Sequence, residues 1–187
     1  ETLWVSEGYQ FNQQEEQYKE DAREMLQNYN NYLNACGSDT IALEEKFSFN
    51  SGNCSINGRY DRVDMDNNGN ISIYDYKTSK KSKAQENLST LKKDIQLGIY
   101  ALGLLKGKIN TQKGDIAGVM PKKLSILSLR YKEPEFSITF TEEDLEYFTN
   151  KIIETSNNIN DMEFEPKKNY YCETCDYREL FCPLFNK

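Results

Sequence analysis

Histidine is absent from this 187-residue chain. Its absence removes imidazole acid–base chemistry, Ser-His-Asp triads and imidazole metal ligands. No apolar run approaches the roughly 20 residues of a membrane span, and no signal peptide is visible. The nearest thing to a nucleotide-binding P-loop, Gly103-x3-Gly107-Lys108, is one residue short and has no Ser or Thr after the lysine. Positive charge is in deficit. The net formal charge is −7, which disfavours non-specific attraction to nucleic acid, although a local basic patch can outvote it. Cysteines number five, an odd count, and three of them crowd the C-terminal end, unlike a disulfide framework. An intracellular metal or cluster site suits them better, so a cytoplasmic location and no membrane partner are expected.

What is present is aromatic and charged. Thirteen tyrosines and nine phenylalanines accompany 37% apolar and 28% charged residues, which is not a disordered composition. The length allows one domain with a real core. Residues 1–187 are read as a single unit with a cysteine-rich tail over 166–187. The first residue is Glu1 rather than Met, so a longer parent chain is expected.

Periodicity places the elements. Tyr18, Ala22, Met25, Tyr29 and Leu33 fall at helical spacing and predict a helix over 12–34. Ile41, Leu43, Phe47 and Phe49 alternate, predicting a strand over 41–49. Residues 54–66 and 70–78 read as a hairpin, and the polar stretch KKSKAQENLS as a loop. A second helix is expected over 86–107, with Leu88, Leu91, Ile95, Ile99 and Leu102 on one stripe. Strands are expected over 124–131 and 136–140. Thr141 followed by Glu142, Glu143 and Asp144 reads as the N-cap and acidic first turn of a third helix reaching about 160. The order defines a mixed α/β domain.

The stretch ISIYDYK, residues 71–77, is the informative one. Ile71 and Ile73 share an inward strand face, and that face continues with Asp75 and Lys77. Two loops could join this strand to the one before it. A two-residue Asn68-Gly69 turn sets Asp61 opposite Tyr76 and Val63 opposite Tyr74. A three-residue loop, Asn67-Asn68-Gly69, pairs Val63 with Ile73, Met65 with Ile71 and Asp61 with Asp75. Only the second collects the apolar residues on one face, and register follows the buried pattern. Asp61 and Asp75 then stand opposite each other at roughly 5 Å between Cβ atoms, and their repulsion requires a positive group. Lys77 and a divalent metal both answer that need, and this pattern alone does not choose. The overlapping stretch DMDNNGNISIYD, 64–75, also fits an EF-hand loop with Asp64, Asp66 and Asn68 at its first ligand positions, although its flanks look β-like.

GRYDRVD at 58–64, IYDYKTSK at 73–80 and QLGIY at 96–100 resemble, in order and spacing, the RecB-like branch of the PD-(D/E)XK nuclease superfamily. That branch supplies nuclease domains to helicase–nucleases of DNA repair. The match spans most of 41–105, and Cys172-x2-Cys175-x6-Cys182-Pro183 resembles the last three cysteines of the branch's iron–sulfur members. The resemblance implies a restriction-endonuclease-like α/β core, a mixed central sheet flanked by helices. It implies metal-dependent hydrolysis of DNA phosphodiesters, on a single strand or an unwound end. Asp61, Asp75 and the backbone carbonyl of Tyr76 would hold Mg²⁺ or Mn²⁺, with Lys77 directed at the attacking water or the developing negative charge. Gln96 and Tyr100, one helical turn apart, would touch DNA or orient Lys77; a packing role for this polar pair is the alternative. Cys172, Cys175 and Cys182 would hold a [4Fe–4S] cluster with a fourth cysteine upstream of this chain, and thiolates also suit zinc. A helicase motor would lie in the same or a partner polypeptide.

Some family features have no counterpart. The early cysteine is missing, since Cys36 and Cys54 lack its setting, and so is a helix histidine. One cause is expected for both, a chain that begins partway into the domain, in which case this piece is expected to bind metal weakly and to be inactive alone. Glu44 by family spacing and Glu45 by alternation both stand as the acid that precedes the hairpin. Lys80, Lys81, Lys83, Lys92 and Lys93 could contact phosphates or form a solvated face, and Arg62 falls on the opposite strand face in a structural role. Two further readings stay open: a non-catalytic DNA-binding or scaffold domain of the same fold, and a calcium module at 64–75.

Overall fold

A computed structural model of the protein describes residues 3–79 and 87–185. Helix α1 (Asn12–Ala35) leads into strands β1 (Asp39–Ser51), β2 (Cys54–Met65) and β3 (Ile71–Lys77). After the short helix α2 (Leu88–Leu91) and α3 (Ile95–Lys106) come a small hairpin, β4 (Lys108–Thr111) and β5 (Gly114–Ala117), then β6 (Lys123–Ser128) and β7 (Glu135–Ile138). Helix α4 (Glu142–Asn160) precedes the tail, which carries a 3-10 turn at Tyr170–Thr174. The main sheet has the order β1-β2-β3-β6-β7. All its neighbours are antiparallel except β3 and β6, so the sheet is mixed and α2 and α3 lie in the crossover. This is the mixed α/β domain read from the order of elements, with the restriction-endonuclease-like architecture that the resemblance implies.

The hairpin adopts the three-residue loop. Val63 pairs with Ile73 and Met65 with Ile71. Gly69 takes φ of +79°, the left-handed conformation that this loop requires. Asp66 closes the turn by accepting the backbone N–H groups of Asn68 and Asn70 and the Asn70 amide. These bonds to the ionised form hold its carboxyl below the usual range.

The two sheet faces differ in chemistry. On one, Phe47, Tyr60, Val63, Ile73, Leu124 and Ile126 pack with Leu97, Ala101 and Leu104 of α3 and Phe148 of α4. The other meets α1 through polar and aromatic groups. Asn28 donates its amide to the Leu129 carbonyl, Tyr29 meets the Tyr76 hydroxyl, and Tyr32 donates to Glu135. That edge corrects the helical stripe read from the sequence, for Tyr18 and Leu33 stay exposed while Asn28 is buried. Beneath α1 the fully buried Arg62 pairs with Asp64 and lies over the Tyr74 ring.

Two other expectations are corrected. Leu43 is exposed, not inward. Glu44 takes φ of +51°, and on either side of its partner region Tyr60 and Val63, three apart, both reach the core. The strand pair therefore turns over at Glu44 and Asp61. The helix expected over 86–107 is two helices, because Asn87 caps α2 and Asp94 caps α3, accepting the N–H groups of Gln96 and Leu97. Leu88 and Ile95 are consequently exposed, and Leu91 and Leu97 carry the apolar face. Thr141 and Asp144 form the capping box that the acidic first turn announced. Gly107 caps α3 rather than forming any phosphate loop.

Candidate active site

Strand β3 is buried on both sides along most of its length. Ile71 and Ile73 go into the core, Tyr74 and Tyr76 face α1, and Asp75 follows the isoleucines on the side of α3. Asp75 is only 2% exposed, where a carboxylate costs heavily unless it is engaged. Its Oδ1 accepts from Gln96 Nε2 at 2.7 Å and from the Tyr100 hydroxyl at 3.4 Å. Lys77 Nζ reaches Oδ2 at 2.6 Å as an ion pair, but Oδ2 has no partner in hydrogen-bond geometry. Lys77 spends a donor on Gln96 Oε1 at 2.9 Å. Gln96 also donates to the Tyr100 hydroxyl at 3.0 Å. The amide of Gln96 thus faces an acid with its nitrogen and a base with its oxygen, which fixes its orientation.

Asp61 stands one step beyond the last pair of the hairpin ladder, Arg62 with Tyr74. Its Oδ2 accepts the backbone N–H of Tyr76 at 2.8 Å, so it is tied to β3 beside Asp75. Burial pushes the Asp75 carboxyl above the usual carboxylate range, against the pull of Lys77, and the charges of Asp61 and Asp94 add to the upward shift. Tyr100 is pushed up to about 12, by burial first and then by the nearby Asp75 and Asp61. Both effects describe a dry pocket with surplus negative charge. An all-oxygen donor set with a buried carboxylate oxygen free of hydrogen bonds suits a hard divalent cation. Among the described residues no three His, Cys, Asp or Glu side chains form a metal-ligand group; the side-chain carboxylates brought near each other here are Asp61 and Asp75.

Other candidates fall elsewhere. Glu44 pairs with Arg59 in solvent, and Glu45 is half-buried opposite Tyr60. Lys92 lies 3.5 Å from Asp144, whereas Lys93 lines a cavity beside Gln96. Lys80, Lys81 and Lys83 lie outside the described residues. The EF-hand reading is overturned. Residues 64–75 form a β-hairpin, and Asp64 is spent on Arg62 and on Ser38 at 2.7 Å. In the tail, Cys172 accepts from the Asn169 N–H at 3.3 Å, and Cys175 and Cys182 occupy successive turns; the three do not share a ligand group. The residue that sequence reasoning missed is Asp94. As the cap of α3 it sets where Gln96 enters the site, and an aspartate directly before the apolar run 95–105 was the available signal.

The sheet thus sets Asp61 beside Asp75 and Lys77, with Gln96 and Tyr100 of α3 against the last two. Residues 1–183 match the family model of the PD-(D/E)XK nuclease superfamily, and the chain belongs to that superfamily. Members of the superfamily are generally metal-dependent phosphodiesterases that use Mg²⁺ or Mn²⁺. A solved structure titled "Crystal structure of SSO0001" is similar at 19% identity and a TM-score of 0.46, over 79% of this chain and 62% of that one. The chain thus spans less than two thirds of that structure's length. Comparison with curated proteins gave no match. Among the described residues no helix is long and apolar enough to cross a membrane.

Proposed function

We propose that this chain is the DNA-cleaving domain of a RecB-like helicase–nuclease of DNA repair. The observation that carries the reading is the buried Asp75 carboxylate with Lys77, Gln96 and Tyr100 gathered on it. Asp61 and Asp75, with the carbonyl of Tyr76, hold Mg²⁺ or Mn²⁺ in this reading. Bound there, such an ion would supply a water of lowered pKa and stabilisation of charge at the scissile phosphate. Lys77 keeps an ammonium beside the same point, where it orients the attacking water and offsets the developing negative charge. Gln96 holds Lys77 in place, and Tyr100 keeps an uncharged donor on Asp75.

The tail thiolates of Cys172, Cys175 and Cys182 suit a [4Fe–4S] cluster in donor type. Gathering them needs the tail to fold around the cluster, with a fourth thiolate from upstream sequence. A visible thiolate–iron absorption band that disappears in Cys172→Ser, Cys175→Ser and Cys182→Ser proteins tests the assignment. The helicase motor lies in the same or a partner polypeptide.

A second reading is a DNA-binding scaffold of the same fold that has lost turnover. The deciding assay is Mn²⁺-dependent cleavage of single-stranded DNA by an upstream-extended protein. Loss of cleavage in Asp75→Ala and Lys77→Ala is expected. Equal rates in the wild type and both variants reject the site. DNA binding with no metal-dependent cleavage selects the scaffold.

A further inference from the structure

On the α1 side of the sheet, a cavity of about 720 Å³ opens between the end of α1 and the starting ends of β3 and β6. Its wall includes Cys36, Ser38, Tyr74 and Lys122. Among the described residues that line it there is no second cysteine. Cys36 ends α1 and is half-buried in this wall.

On its inner side the sulfur meets Arg62, which is 1% exposed. Nη2 of the guanidinium donates to Cys36 Sγ at 3.7 Å, and Ser38 Oγ lies 3.2 Å from the same sulfur. A guanidinium holds its donors in one fixed plane. The edge formed by Nε and Nη2 is spent on Asp64, with Nε 2.7 Å from Oδ1. The other Nη2 proton, the one given to Cys36, runs parallel to a proton of Nη1. Nη1 is buried and has no hydrogen-bond partner; Tyr29 is close, but its hydroxyl bonds that of Tyr76. An edge of two parallel N–H groups therefore faces the thiol with one donor unspent. A buried donor without an acceptor is costly, and such an edge has the shape that receives an oxyanion. The same contacts act on the thiol. Burial pushes its pKa up, but the bonds from Ser38 and the charge of Arg62 outweigh burial and the opposing Asp64, and hold it below the usual thiol range. By contrast, Cys54 and Cys172 bond backbone groups.

We propose that Cys36 is a site of oxidation by hydroperoxides, its sulfenate oxygen seated on the unspent donor of Arg62. The thiolate sulfur attacks the outer peroxide oxygen. An S–O bond forms as the O–O bond breaks, sulfur losing the two electrons that the peroxide gains. The proton of the attacked oxygen passes through solvent to the leaving oxygen. Thiolate and hydroperoxide thus give sulfenate and an alcohol, or water where the oxidant is hydrogen peroxide. The new oxygen gives Nη1 the acceptor it lacks. With no cysteine in the cavity to convert it into a disulfide, the sulfenate persists. The site faces α1, not Asp75, and stands whether or not the nuclease reading does.

The test exposes the reduced chain to hydrogen peroxide with dimedone, a diketone that traps sulfenates, and maps the adducts by peptide mass spectrometry. The adduct should form at Cys36 before Cys54, which is equally half-buried. Ser38→Ala should slow adduct formation at Cys36 about tenfold, the scale of one hydrogen bond to a charged group. Cys36→Asp places a lasting oxyanion at the same point. Its thermal midpoint should lie about 2–4 °C above that of Cys36→Asn, which offers the same oxygen without the charge. Equal labelling of Cys36 and Cys54, or labelling unchanged in Ser38→Ala, overturns the reactive thiol. A midpoint for Cys36→Asp at or below that of Cys36→Asn overturns the seat on Arg62. A cysteine that serves only in packing gives both of these negative results.

Discussion

Lys77 Nζ lies 2.6 Å from Asp75 Oδ2, two residues away on the same face of β3. Side chains at that spacing project to the same side of a strand, and here both meet Gln96 of α3. The ammonium thereby offsets the charge of the buried carboxylate.

The ion pair does not make Asp75 comfortable. Burial outweighs Lys77 and holds the folded-state carboxyl above its unfolded value. A raised acid contributes stability below the unfolded value, and that contribution is lost as pH rises through the folded one. Asp75→Asn keeps the oxygen that accepts from Gln96 and removes the charge. Without metal it should melt higher than the wild type at neutral pH, and the gap should close in acid below the ordinary carboxylate range. Mg²⁺ should raise the wild-type midpoint with concentration and leave the variant unmoved. Thermal scans over pH, with and without EDTA, measure both. A neutral-pH midpoint for Asp75→Asn at or below that of the wild type contradicts the electrostatics.

Gln96 is the hinge of the cluster because its amide serves an acid and a base at once. Gln96→Leu preserves bulk and removes both services. A hydrogen bond to a charged group is worth about 1.5–3 kcal/mol, which corresponds to roughly 10- to 100-fold in rate. Steady-state cleavage should show that loss in kcat with KM little changed. A pure packing role leaves kcat near the wild-type value.

Asp64 separates the hairpin from a calcium loop. It is fully buried against Arg62, and removing one partner of such a pair costs about 3–5 kcal/mol. Asp64→Ala should therefore lower the denaturant midpoint severely, whereas Asp66→Ala loses turn bonds and a 3.8 Å ion pair with the exposed Lys122. Calorimetry with Ca²⁺ should give no signal that depends on Asp64 and Asp66 together. Micromolar binding lost in both variants reverses this assignment of the hairpin.

Much of this was readable in the residues, for identifiable reasons. The hairpin register follows from four apolar side chains that only one loop length places together. That Asp75 and Lys77 share a strand face and Gln96 and Tyr100 a helix face was legible because strand and helix periods are local properties; that the two faces meet was expected only from the resemblance. The interruption at Lys92–Asp94 was not, because apolar spacing continues smoothly across it while two caps, Asn87 and Asp94, decide the boundary. The inversion at Glu44 was also hidden, since a left-handed residue without glycine has no compositional mark. Leu43 looked inward for that reason. The polar seating of α1 escaped because Asn28 and Tyr32 bury themselves through partners more than a hundred residues away.

The placement of Gln96 depends on how closely α3 approaches α4. At Gly98, two residues along from Gln96, an added Cβ would lie 2.4–2.5 Å from ring atoms of Phe148. Phe148 is fully buried and braced by Phe140 at 5.1 Å between ring centroids, so the ring has little room to yield. Gly98→Ala should gain about 1 kcal/mol of helix propensity. Overpacking of a tight core costs about 1–3 kcal/mol and acts in the opposite direction. The contact is close enough that overpacking wins, and the relief available is a shift of α3, which carries Gln96 and Tyr100 away from Asp75. Stability and kcat should fall together, with no change at any residue that touches the carboxylate. Pairing the change with Phe148→Leu removes the clash, so the double variant should recover much of the kcat lost by Gly98→Ala, a coupling that a double-mutant cycle reads directly. If the two losses simply add, the glycine is not what seats α3 against the site.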